Sequence, residues 1–136
     1  MFQRIVVGVN RADSAVDALH RAQHLAEQFG ATLHIVTAYD PAADRGRSAV
    51  PSPVATGRAD AEKFLERYAT TMASPVQTHA LPGKAADALL QVAEEIDADL
   101  VVVGNKGMKG IGRVLGSVPS EIAHKAKCSV LIVNTT

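Results

Sequence analysis

The chain alternates between two hydrophobic periods, and few folds accommodate that alternation. Arg4-Ile5-Val6-Val7-Gly8-Val9 is a short β-branched run, the signature of a parallel strand buried on both faces. Behind it, Asp13 and Ser14 offer helix N-caps. Ala15, Ala18, Leu19, Ala22, Leu25, Ala26 and Phe29 then mark one helical stripe, closed by Gly30 as a C-cap. Residues 32–38 read as a second strand. A helix carries Ala61, Phe64, Leu65, Tyr68, Ala69 and Met72. Val76 to Leu81 forms a third strand, polar enough to lie at a sheet edge. Pro82-Gly83 turns the chain into a helix bearing Ala86, Leu89, Leu90, Ala93 and Ile96. The run Asp99-Leu100-Val101-Val102-Val103 is the most strand-like of all. A glycine-rich stretch, a short helix over 117–127 and a last strand over 129–133 complete a β-α-β-α-β-α-β-α-β order.

This order predicts a single α/β domain spanning 1–136, a mostly parallel five-stranded sheet with helices on both faces, because right-handed crossovers pack back on the sheet. With 47% hydrophobic residues, a three-layer core of this size needs no disulfide, and the lone Cys128 could not form one internally. Residues 40–57 break the pattern with three prolines (Pro41, Pro51, Pro53) and read as a long loop. The apolar last strand either lies buried inside the sheet or pairs with a second copy of the chain.

Charge narrows the functional classes. Fourteen basic and fourteen acidic side chains cancel, which argues against a general nucleic-acid or membrane-surface protein, since both need surplus positive charge. No apolar run is long enough to span a bilayer, and the N-terminus lacks the pattern of a secretory leader. The expected location is cytoplasmic.

Ligands of open α/β sheets bind beyond the carboxyl ends of the strands, where crossover direction reverses. There the sequence concentrates five of its ten glycines (Gly104, Gly107, Gly110, Gly112, Gly116), together with Lys106, Lys109, Arg113 and no acid. Glycine lets successive N–H groups turn toward an anion, and Ser117 begins a helix whose dipole points the same way. A phosphate-bearing small molecule fits; a plain glycine loop capped by Ser117 is the simpler alternative. The G-x-x-x-x-G-K-[ST] motif is absent, and Gly110-Ile111-Gly112 lies far from the first strand, where a dinucleotide fingerprint belongs.

Gly104-Asn105-Lys106-Gly107, followed by Gly116-Ser117-Val118, resembles the universal stress protein family, whose pattern is G-x-x-G, an interval of nine, then G-[ST]. The likeness extends to the Val-Gly-Val opening, the Ala-Asp-Leu-Val-Val-Val-Gly approach and the Cys-Ser-Val-Leu-Ile-Val ending. It implies a Rossmann-like sheet of order 3-2-1-4-5 and a homodimer through strand 129–134. It also implies an adenine-nucleotide site, for ATP with or without Mg, AMP or cyclic AMP. Gly8, Val9, Asn10 and Ala38 would line adenine and ribose, and Val103 and Gly104 would close the other side. Gly107, Gly116, Ser117 and Val118 would hold phosphate through their amides. The interval here is eight residues, Asn10 stands where the family often has Asp, and Pro119 replaces a frequent Ser or Thr, with Ser120 next to it.

Other residues carry less. His20 and His24 lie four apart on the first helix without a third ligand, and Asp13 and Asp17 suit helix-start complementation. His34, His79, His124 and Cys128 read as structural. No Ser-His-Asp or Cys-His set falls on the ligand-facing loops, so the site is expected to hold a nucleotide and not to turn it over. The alternatives are slow ATP hydrolysis steadied by Lys106 or Arg113, and a nucleotide-independent interaction module.

Overall fold

A computed structural model describes residues 2–10, 13–45, 57–72, 75–105 and 116–134. The elements are β1 (Arg4–Gly8), α1 (Asp13–Phe29), β2 (Thr32–Tyr39), α2 (Arg58–Ala69), β3 (Val76–Pro82), α3 (Ala85–Glu95), β4 (Leu100–Gly104), α4 (Ser117–Lys125) and β5 (Ser129–Val133). The sheet runs β3-β2-β1-β4-β5 and every pairing is parallel, so "mostly parallel" becomes wholly parallel.

Sequence period sorts the core into two layers. Ile5, Val7, Leu33, Ile35, Leu100 and Val102 pack against Ala18, Leu19, Ala22 and Ala26 of α1 and Leu65 of α2. Their alternates Val6, Val36, Ala38, Val101 and Val103 pack against Ala86, Leu89 and Val92 of α3 and Ile122 of α4. Both faces of β1 are therefore covered, and Ile5, Val6 and Val7 are wholly buried.

The ends of the elements follow from local chemistry. Gly30 has φ +65°, a left-handed turn that glycine adopts without strain, and Ala31 N–H closes α1 onto the Ala26 carbonyl at 2.9 Å. At the amino edge of the sheet, the Asp99 carboxylate accepts the backbone N–H groups of Gln3 (2.8 Å) and Arg4 (3.1 Å), tying the start of β4 to the start of β1. The predicted loop after β2 instead opens with a 3₁₀ turn, Pro41–Arg45. Asp40 explains it: its side chain accepts Ala42 N–H at 2.9 Å while its carbonyl accepts Ala43 N–H, and Pro41 supplies a fixed φ. The rest of that loop, 46–56, lies outside the described residues. β3 occupies an edge, as its polarity predicts. β5 occupies the other, with Leu131 exposed and Ile132 half-buried.

Candidate functional site

β1 leads through β2 to β3 on one side of the sheet, whereas β4 and β5 lie on the other. The crossover direction thus reverses between β1 and β4, and a crevice belongs beyond their carboxyl ends. The register places Gly8, Val9 and Asn10, Ala38, and Val103 and Gly104 along that one edge: Gly8 pairs with Val36, Val7 with Val102, and Gly104 with Val133.

These residues play different physical parts. A Cβ at Gly8 would sit 2.9 Å from Leu89 Cδ1, so glycine here lets the buried Leu89 of α3 approach the tip of β1. Val9 has both main-chain polar groups engaged. Its N–H donates to the Val36 carbonyl at 2.9 Å, and its carbonyl accepts from the Thr37 hydroxyl at 2.8 Å. Val9 can therefore offer a ligand shape but few hydrogen bonds. Asn10 is half-buried, while Ala38 and Val103 are apolar and buried in the layer that α3 and Ile122 cover.

The opposite wall is the start of α4. A βαβ crossover returns antiparallel to its strands, which puts the N-terminus of α4 at the carboxyl edge. Gly116 is the N-cap and Ser117 the first helical residue, and no acid lies in the first turn. Helical bonding begins with Ser120 N–H to the Gly116 carbonyl at 3.1 Å, which leaves the amides of Ser117 and Val118 outside the ladder. Pro119 contributes no donor and is buried. Ser120 lies one turn in, half-buried. Two amides, a hydroxyl on exposed Ser117 and the positive dipole end make this a place for one small anion. Gly107, Lys106, Lys109 and Arg113 lie outside the described residues.

Two site-supporting residues escape sequence reasoning. Thr37 looks like any β-branched strand residue, and only the register shows its hydroxyl locking the end of β1. Thr37→Val should lower unfolding free energy by about 1–3 kcal/mol, because the Val9 carbonyl loses its donor in a buried place. Thr37→Ser should restore most of it, and denaturant unfolding of the three proteins measures both. Asn105, 4% exposed, is the second. Its backbone N–H donates to the Val133 carbonyl at 3.0 Å and its Nδ2 to Asn134 Oδ1 at 3.2 Å, so the exit of β4 is tied to the exit of β5. A polar residue directly after a five-residue apolar run was the available signal.

His20 and His24 are exposed on α1, and His124 Nδ1 lies 2.8 Å from the Ser120 carbonyl. Cys128 is half-buried, and burial, with Asp99 nearby, pushes its thiol above the ordinary range, away from the nucleophilic thiolate. Among the described residues, no three His, Cys, Asp or Glu side chains gather to hold a metal, and no helix is long and apolar enough to cross a membrane.

Known proteins with this architecture and sequence form a consistent set. Residues 1–134 match the universal stress protein family. Identity is 39% over 144 residues with universal stress protein Rv1636 of Mycobacterium tuberculosis, covering 99% of this chain and 98% of that one. It is 30% over 138 residues with universal stress protein A homolog 1 of Coxiella burnetii, covering 97% and 96%. A crystal structure of a universal stress protein in complex with cAMP superimposes with a TM-score of 0.74 at 36% identity, covering 99% and 98% of the two chains.

Proposed function

Because the chain belongs to the universal stress protein family, we propose that it is an adenine-nucleotide-binding regulatory module, holding its ligand without turning it over. The observation that carries this reading is that the ends of β1, β2 and β4 and the start of α4 share the carboxyl edge of the sheet. Val9, Ala38 and Val103, apolar residues at those strand ends, would border the base, and the amides of Ser117 and Val118, outside the helical ladder, would hold the phosphate. Asn10 and the main chain at Gly8 and Gly104 would border the ribose. Gly107, Gly116 and Ser120 complete the phosphate side in this reading, and Mg would arrive with a triphosphate, not with the protein.

A solved relative in complex with cAMP favours a second, narrower reading, cyclic AMP as the ligand. The chemistry agrees: a cyclic monophosphate carries one charge and needs few donors, and Pro119 leaves the first turn with two amides. In either reading the protein works in the cytoplasm as a homodimer joined through residues 129–134. The edge position of β5 and the exposure of Leu131 support that surface.

Equilibrium binding of ATP, AMP and cyclic AMP to the purified protein tests the proposal. Saturable binding of at least one, at one per chain, is the expected result. Absence of binding by all three at millimolar concentration removes the reading. Tightest binding by cyclic AMP selects the narrower one.

A further inference from the structure

On the α3 side of the sheet, β3 is only partly covered, and two imidazoles meet there. His34 of β2 is 4% exposed, whereas His79 of β3 is half-buried. The register pairs His34 with Gln77 and Val36 with His79, so the two histidines are diagonal neighbours on one face. His34 Nδ1 lies 2.9 Å from His79 Nε2, and the rings stack at 25° with centroids 5.2 Å apart. At that distance one nitrogen must carry the proton and the other must present a lone pair. The contact therefore survives only while at least one ring is neutral.

We propose that the His34–His79 pair is an acid-released latch holding the edge strand β3 to β2. When both rings are protonated, two N–H donors and two positive charges face each other in a half-dry place. His79, on the less covered strand, is the ring that must leave. A cleft of about 590 Å³, lined in part by Gln3, Arg4, Thr32, His34 and Gln77, reaches the His34 side of the pair.

The surrounding charges set the direction. For His34, burial comes first in pushing the ring below its ordinary value of 6.5, followed by His79 and then Arg4 of β1. For His79, burial also lowers the value, and Glu95 of α3 partly opposes it. Both rings are thus held neutral in the fold and charge more readily once released. The latch is fully closed above about pH 6.5 and weakens as pH falls below it, by up to about tenfold in the closed-to-open ratio per pH unit for each ring.

This inference is independent of nucleotide binding. Its test is amide hydrogen exchange, expressed as protection factors relative to intrinsic rates, at 77–80 in β3 and 101–103 in β4. Between pH 7.5 and 5.5, protection in β3 should fall more than in β4, by up to about tenfold for each ring. His79→Gln, which keeps a polar partner without a titrating ring, should shrink that difference to the share of His34 alone, and His34→Gln to the share of His79. Should the deeply buried His34 variant fail to fold, the His79 variant alone decides. An equal fall in wild type and His79→Gln, or no fall at all, overturns the latch. So does protection of β3 by added Zn²⁺ that both variants lose, which would reassign the pair as metal ligands.

Discussion

Ser117→Asp should lower the affinity for ATP and cyclic AMP more than a hundredfold while leaving adenosine within about twofold. Ser117 is the exposed first residue of α4, where the proposed phosphate sits against two amides. A carboxylate there would lie about 5 Å from the phosphate charge. At an effective dielectric of about 20 that repulsion amounts to about 3 kcal/mol, or more than two decades in affinity. The same substitution favours the fold, since an acid in the first turn complements the helix dipole by about 0.3–1 kcal/mol. Stability and binding should therefore move in opposite directions, and lost binding could not be ascribed to unfolding. Calorimetric titration with the three ligands, beside a thermal melt, measures both. Unchanged affinity for the charged ligands would place phosphate elsewhere.

The second large effect concerns how α4 is held. Ile122 is wholly buried and belongs to the layer containing Val101, Val103 and Leu89, with Val118 packed against that layer. Within α4 only Pro119 is buried with it. Ile122→Ala should cost about 2–5 kcal/mol from lost burial and the cavity left behind, equivalent to a fall in Tm on the order of 10 °C. Ile122→Val should cost about 0.5–1.5 kcal/mol. Because Ile122 seats the helix whose first turn carries the proposed phosphate site, nucleotide affinity should weaken in the same order. Denaturant unfolding at two pH values and binding of AMP check the pair. A loss below about 1 kcal/mol for the alanine variant would mean that α4 is held by something other than this contact.

The fold was legible because each element carries a local signal that agrees with its neighbours. Ile5-Val6-Val7 and Val101-Val102-Val103 are β-branched on both faces, and those strands are covered on both faces. Gly30 ends α1 in the left-handed turn its position suggests. The carboxyl edge could be located because Gly8, Gly104 and Gly116 punctuate the ends of two strands and the start of a helix. What escaped depends on register or on a single side chain. The turn Pro41–Arg45 hangs on the Asp40 carboxylate, in a segment whose prolines otherwise suggest loop. Thr37 reaches Val9 across 28 positions of sequence, and His34 meets His79 across 45. No period or spacing announces such contacts; they exist only once the strands are aligned. Gly8 stands at the end of β1 against Leu89, a proximity the sequence could not show.

The most direct test of the account is a titration of the ¹⁵N-labelled protein with cyclic AMP and with AMP, followed through its amide resonances. Saturable shifts should gather at Val9, Asn10, Ala38, Gly104, Gly116, Ser117 and Val118, the carboxyl edge of the sheet and the first turn of α4. No shift at saturating nucleotide would contradict the account, and so would shifts confined to the opposite edge around Arg4, Thr32 and Gln77.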